Sequence, residues 1–202
     1  MVSFPIVSDR SFFERDDVVQ VAQDLLGHVL ARRHADSVMR LVITETEAYR
    51  GYGDKASHAA NGRRTARTEV FFKAGGHAYV YLCYGMHWLF NIITNREGHP
   101  DAVLIRGGIL LGESPKVITG PGRITRTLFI DGQQNGVDLL QSNELWLERA
   151  CVGQLTIQRT PRIGVAYAGE DALLPWRFVA SGQEVWDRLM DLKSAHPNPV
   201  FK

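Results

Sequence analysis

Apolar positions along the chain fall into stretches of helical period and stretches of strand period. Phe12, Val18, Val19, Ala22, Leu25 and Leu26 recur at helical spacing. Ser11 with Glu14 three residues later forms a capping-box pattern and Gly27 supplies a stop, so the spacing predicts a helix between them. HVLARR and SVMRLVITETEAY then read as two strands parted by the polar stretch His34–Asp36. Arg50–Thr68 is rich in glycine and charge and reads as loop. His77–Tyr84 and Met86–Thr94 flank Gly85, which predicts a β-hairpin turning near Tyr84-Gly85. Ala102–Arg106, Leu145–Glu148, Leu155–Gln158 and Arg177–Ala180 read as short strands, and Gly120–Ile130 as a turn feeding a short helix. The tail from Ala195 holds two prolines and is expected to be poorly ordered. No repeat, low-complexity tract or linker divides the chain. Strands outnumber helices and follow one another through short turns, so the fold class expected is α+β: one mixed domain over 1–202 with a largely antiparallel sheet.

Composition narrows the function classes. The 202 residues are 45% hydrophobic and 22% charged, the profile of a globular chain rather than a disordered one. No run of about 18 apolar residues is present, so no membrane span is expected. The N-terminal residues lack a basic start followed by an apolar stretch, and a cytoplasmic location is expected. Cys83 and Cys151 show no metal-ligand spacing, and Cys83 inside an apolar run reads as a small buried hydrophobe. The formal net charge of +1 speaks against binding nucleic acid by bulk charge. Its distribution is uneven. Arg50–Lys73 carries six bases against two acids, Arg106–Arg126 four against one, and Asp9–Asp24 two against five. Two basic segments bracketing an aromatic hairpin suggest a phosphate-binding face.

Candidate chemistry concentrates in LVITETEAY. Alternation places Leu41, Ile43, Glu45, Glu47 and Tyr49 on one side of a strand. Two cases stay open. A carboxylate at the core's edge would be partly desolvated and useful as a general base or acid. Alternatively the strand leaves the core after Ile43 and both glutamates face water, which pattern alone favours. In the hairpin, His77, Tyr79, Tyr81 and Cys83 share one face, while Trp88 and Phe90 read as core. Tyr84 next to the turn glycine is hard to bury and could project as a wedge. The seven histidines form no HxxxH or HExxH arrangement, and no GxxxxGK[ST], strand-linked GxGxxG or GxSxG motif occurs. Neither a metal nor another cofactor is implied.

ETEAY (Glu45–Tyr49), SHA (Ser57–Ala59), HAYVYLCYGMHWLFN (His77–Asn91), VLIRG (Val103–Gly107), GPGRITRTLFIDGQQNGVDL (Gly120–Leu139) and PRIGVAYAGEDALLPWRF (Pro161–Phe178) occur in that order. Together they resemble the alkyladenine/3-methyladenine DNA glycosylases of the mammalian type, over about residues 11–180. The resemblance implies a monomer with a curved, largely antiparallel sheet, surrounding helices and a protruding hairpin. It implies base excision from duplex DNA holding damaged purines, at the nucleoid in a bacterium or in a eukaryotic nucleus. By the same resemblance Glu47 activates the water that attacks C1′, and Tyr49, His58 and Tyr81 hold the flipped base. Tyr84 fills the gap left in the duplex, Asn91 clashes with the 2-amino group of guanine, and Arg106 stands at the rear of the pocket. Electron-rich rings suit a base made cationic by N-alkylation.

Met86, His87, Arg63, Arg64, Arg67 and Arg123 are the further DNA contacts expected. No amine is positioned for a Schiff base, so a monofunctional glycosylase without lyase activity is expected. Thr65–Thr68 reads TART where the family commonly has TPRN, which alters the loop but no residue assigned to chemistry. Two other readings compete. A non-catalytic nucleic-acid module with base-stacking tyrosines leaves ETEAY without a task. A hydrolase of free nucleosides or sugars would use Glu45 and Glu47 as a pair about 6.6–6.8 Å apart by strand rise, though parallel side chains do not flank a bond from opposite sides.

Overall fold

β1 (Val29–His34) and β2 (Ser37–Tyr49) are the two strands that the sequence predicts, and they pair as an antiparallel hairpin with His34 opposite Ser37. The computed structural model describes residues 4–150 and 152–195; Cys151 and the proline-bearing tail beyond Ala195 lie outside them. The other strands are β3 (Ala78–Cys83), β4 (His87–Thr94), β5 (Asp101–Leu110), β6 (Lys116–Thr119), β7 (Leu145–Glu148), β8 (Ile157–Thr160) and β9 (Arg177–Ala180). All pair antiparallel in the order β3-β4-β5-β2-β1-β7, with β6 on β5 and β9 joining β8 to β2.

β2 and β5 run side by side from Leu41–Leu110 to Tyr49–Ala102, and each changes its outer neighbour midway. β2 leaves β1 after Val42 and meets β9 at Glu45–Glu47, while β5 leaves β4 after Leu104 and meets β6 at Gly107. Register irregularities flank Glu45 at this level, and irregular pairing of this kind bends a sheet. The sheet is accordingly curled into a mixed α+β domain. Gly107 and Gly108 sit at the same level and explain why β5 runs past the Arg106 at which the sequence suggests it ends. A Cβ on Gly108 would meet Leu41 Cδ2 at 2.5 Å, and one on Gly107 would meet Glu45 Cβ at 2.9 Å. Glycine lets β2 and β5 close on each other here.

Three helices, α1 (Val18–Asp24), α2 (Pro121–Thr127) and α3 (Gly182–Ala195), accompany the sheet. The first differs from expectation. Asp9, not Ser11, caps a single 3-10 turn at Arg10–Phe12, and α1 begins only after Asp17, whose carboxylate accepts from the Val19 and Gln20 amides. Ser11 does not act as a cap because its own amide and hydroxyl donate to the Asp9 carboxylate, at 2.9 and 2.7 Å. Gly27 ends the turn at φ +83°, and a Cβ there would meet Val152 Cγ2 at 2.2 Å. The strand expected at Leu155–Gln158 lies at Ile157–Thr160, while β6 and α3 were not anticipated. Val185 and Leu189, one turn apart, carry the buried stripe of α3, and Trp186 and Met190 pack beside them.

One large core contains Phe13, Leu30, Ile43, Phe90, Ile105 and Phe178. Trp88 packs partly buried against it. Two satellite clusters lie apart: Ala59, Phe71, Phe72, Tyr79, Ile93 and Ala102 form one, and Ala56, Val165 and Ala168 with Tyr49 form the other. These two clusters carry the cleft described next.

Candidate active site

The second half of β2 does not leave the core. Thr46, Glu47 and Ala48 are all fully buried, so the water-facing case for Glu47 is overturned. β9 pairs over Glu45–Glu47, and the Arg162–Val165 segment before a 3-10 stretch (Ala166–Leu173) closes over the strand end. Glu47 Oε1 accepts the Ile163 amide at 2.8 Å, and Oε2 accepts the Tyr49 hydroxyl at 2.8 Å and faces Arg106 Nη1 at 3.4 Å. Burial pushes this carboxyl above the ordinary glutamate range, although Arg106, the Ile163 amide and the Tyr49 hydroxyl oppose the shift.

Glu45, two residues earlier, has a different environment. Its Oε1 accepts Arg177 Nε at 2.6 Å and Arg106 Nε at 3.2 Å. Arg106 therefore bridges the two glutamates, but Arg177 belongs to Glu45 alone. Glu45 is held in an ion-pair network, which speaks against the pair of working carboxylates that a free-nucleoside hydrolase would need. Glu47 is the carboxylate with an oxygen on a ring of the cleft.

The cleft has a volume of about 360 Å³, within the range of small-molecule sites, and brings Tyr49, His58, Tyr81, Asn91 and Arg106 together. Tyr79 and Tyr81 stack with centroids 5.4 Å apart, and His58 sets its ring edge-on to Tyr81 at 4.6 Å. His58 Nδ1 lies 3.1 Å from the Tyr79 hydroxyl. Burial, helped by Arg67, lowers the His58 pKa to about 4, so its imidazole is neutral at pH 7. Asn91, across from Tyr79 in the β3–β4 hairpin, donates Nδ2 to the Tyr79 carbonyl at 3.1 Å. Burial raises the hydroxyl pKa of both Tyr49 and Tyr81. Both phenols stay protonated, and that of Tyr49 remains a donor to Glu47.

The turn of the β3–β4 hairpin stands at the cleft mouth. Tyr84 is 87% exposed at φ +49° and Gly85 follows at φ +70°. Left-handed backbone at both central positions fits the twist of a tight hairpin, yet an aromatic residue there is uncommon. Met86 and Leu82 are also exposed, and so is His87. α2 braces the base of the hairpin: Thr125 Oγ1 donates to the Trp88 carbonyl at 2.7 Å, and a Cβ on Gly122 would sit 3.1 Å from His87 Cβ. Arg123 on α2 is exposed.

The three loop arginines expected on DNA separate. Arg63 is exposed, and Arg64 gives its guanidinium to Glu69 at 2.5 and 2.9 Å. Arg67 holds its guanidinium 5.1 Å from the Tyr81 ring centroid and so belongs to the cleft. Sequence reasoning assigned no role to Arg162, Ile163 or Tyr167. Arg162 is buried against Tyr49, Ile163 meets Glu47, and Tyr167 lines the cleft while donating its hydroxyl to the Ala56 carbonyl at 2.9 Å. Arg162 and Ile163 lie in irregular chain and Tyr167 in the 3-10 stretch, where no strand or α-helical period marks the residues that turn to the cleft. Among the described residues no group of three or more His, Cys, Asp or Glu side chains is placed to hold a metal ion, and no helix is long and apolar enough to cross a membrane.

Comparison with known proteins points to one family. A protein of Methanocella arvoryzae named as a candidate 3-methyladenine DNA glycosylase is 44% identical over 185 residues, covering 85% of this chain and 91% of its own. One from Borreliella afzelii with the same name is 42% identical over 185 residues, covering 89% and 99%. A third, from Natranaerobius thermophilus, is 38% identical over 185 residues, covering 84% and 93%. The profile of the methylpurine-DNA glycosylase family matches residues 11–184, which include every side chain of the cleft, and the chain belongs to that family.

Proposed function

We propose that the protein excises alkylated or deaminated purines, of the 3-methyladenine, 7-methylguanine, hypoxanthine and ethenoadenine class, from duplex DNA and leaves an abasic site. It acts as a monomer and has no strand-cleaving lyase activity. The observation that carries this reading is Glu47: a fully buried carboxyl directly behind the floor of an aromatic cleft, bonded to the lining residues Tyr49, Arg106 and Ile163, beside a hairpin that presents Tyr84 to solvent.

A base inside a duplex is out of reach of such a floor, so the target nucleotide must leave the stack, at a cost of a few kcal/mol. Tyr84 offsets part of that cost by occupying the vacated space. The extruded base lies among Tyr49, His58 and Tyr81, and a guanine 2-amino group is turned away at Asn91. Cleavage of the glycosidic bond develops positive charge on the sugar. Ionised Glu47 stabilises that charge and takes a proton from the water that attacks C1′, while the bond electrons leave with the base. An N3- or N7-alkylated purine leaves as a neutral base. Deaminated and etheno purines need a proton on departure.

A Glu47→Gln protein tested on duplexes containing hypoxanthine, ethenoadenine or methylated purines is the direct check. Loss of base release with retained duplex binding is expected. Undiminished release would remove Glu47 from the chemistry, and equal activity on free nucleosides would replace the reading with that of a nucleoside hydrolase.

A further inference from the structure

We infer that Arg162 is a positioning residue for the cleft: its guanidinium fixes the plane of the Tyr49 ring and places the Ile163 amide that holds Glu47. Arg162 and Asp54 form an ion pair whose side chains are both fully buried, with Nη1 and Nη2 2.5 and 2.8 Å from the two carboxylate oxygens. Nη1 also donates to the Ala48 carbonyl and Nη2 to the Asp171 carbonyl, each at 2.9 Å. These acceptors are informative. Ala48 lies between Glu47 and Tyr49, Asp54 heads the loop that leads to His58, and Asp171 lies in the 3-10 stretch that carries Tyr167. One guanidinium thus joins three of the segments that build the cleft wall.

The planar group also stacks. Its carbon lies 4.8 Å from the Tyr49 centroid and 5.1 Å from that of Trp176, and Arg50 lies 5.0 Å from the same indole. Trp176 is tied to the strand as well, because its carbonyl accepts the Ala48 amide at 2.9 Å. Burying an ion pair adds little net stability compared with an apolar packing of similar volume. Its use here is geometric, since Ile163, the next residue, directs its N–H at Glu47 Oε1.

Arg162→Lys tests this role. Lysine keeps a charge opposite Asp54 but cannot stack between two rings or reach both carbonyls. The folded variant should bind lesion-bearing duplex within about threefold of wild type, while its single-turnover release rate falls about 30–100-fold through misplacement of the attacking geometry. Glu47 is faced by Arg106 from β5, by Glu45 and Tyr49 on its own strand, and by the Ile163 amide. Weakening the contacts to the amide and to Tyr49 moves the acid limb of the rate to higher pH. A carboxyl NMR titration of Glu47 in the DNA-free protein should show the same upward displacement. That readout does not depend on which substrate is right, so it separates this inference from the proposed function on which the kinetic arm rests.

Trp176→Leu, which leaves every Arg162 hydrogen bond in place, should lower the rate about 3–10-fold and shift Glu47 less, and it decides the matter if Arg162→Lys does not fold. An unchanged titration and unchanged rate in a folded variant would overturn the inference. So would a loss of rate that follows only the folded fraction.

Discussion

The floor of the cleft and the tip of its hairpin depart from ordinary protein economy in opposite directions. At the floor, Glu47 is withdrawn from water and both its oxygens are taken by fixed donors. At the tip, Tyr84 and Met86 are 87% and 70% exposed, with large apolar surface in solvent. A buried carboxylate lowers stability through desolvation, and exposed apolar groups forgo burial they could have had. Neither is explained by folding alone. Tyr84 lines the cleft and Glu47 lies directly behind its lining, so a single ligand can supply what each lacks: developing positive charge above the floor, and a stacked, partly dry environment around the tip. Duplex DNA with an extruded nucleotide offers both.

Replacing Glu47 by Gln should separate function from stability most sharply. On the proposed role of Glu47 as the base that activates water, release is expected to fall by about 10³-fold or more. The sign for stability is opposite. Burial raises the Glu47 pKa in the folded protein, so its ionised form at neutral pH is disfavoured relative to the unfolded chain. A neutral amide removes that penalty. A Tm above that of wild type is expected. A lower Tm would mean that the donors around Glu47 outweigh its desolvation.

Tyr84→Ala attacks the other end and should do the reverse. An exposed side chain is removed at a backbone conformation that strains alanine as it strains tyrosine, so unfolding in urea should change by no more than about 0.5 kcal/mol. Release from duplex should fall about 10–100-fold at subsaturating enzyme, because the extruded state loses its filler. Release from single-stranded DNA bearing the same lesion should change far less. An equal loss on both substrates would place Tyr84 in the chemistry rather than in opening the duplex.

The tip was far more legible in the sequence than the floor. Tyr84-Gly85 between two alternating runs defines a hairpin and its exposed aromatic by local rules, and the structure contains that turn. The floor depends on contacts between distant segments. Alternation put Glu45 and Glu47 on one face but could not tell them apart, because Arg177, which takes Glu45, and Ile163, which holds Glu47, lie more than a hundred residues later. For the same reason the glutamates looked solvated, since the covering chain carries no periodic pattern. The resemblance to a known family selected Glu47 where pattern could not. Arg162 was missed even then: a loop arginine after a proline reads as a surface charge until Asp54 is seen to neutralise it. The capping error at Ser11 was local, and the carboxylates of Asp9 and Asp17 on either side of it were the available signal.

Asn91 tests the wall between floor and tip. It is 5% exposed and donates to the Tyr79 carbonyl, so a smaller residue both widens the cleft and frees an acceptor. Asn91→Ser should raise release of 7-methylguanine relative to hypoxanthine by about 3–10-fold, the scale of roughly one lost steric contact. An unchanged ratio would count against Asn91 as the residue that turns guanine away.

The last comparison concerns acid, and it again distinguishes the two regions. Burial lowers the pKa of His58 to about 4, and His28, away from the cleft, is likewise lowered to about 4. A depressed histidine contributes stability that is complete above its unfolded pKa near 6.5 and is lost as pH falls toward 4, by at most about 1.4 kcal/mol per pH unit for each group. Glu47 runs the other way, because its raised pKa lets the folded protein take up a proton first. Urea unfolding between pH 8 and pH 4 should therefore show a shallower acid loss for His58→Gln than for wild type. It should show a steeper one for Glu47→Gln, which no longer has that compensating uptake. Tyr84→Ala, which leaves His28, His58 and Glu47 in place, should keep the wild-type slope. If Tyr84→Ala alters the slope as much as His58→Gln does, then floor and tip are coupled in the free protein, and their separation above fails.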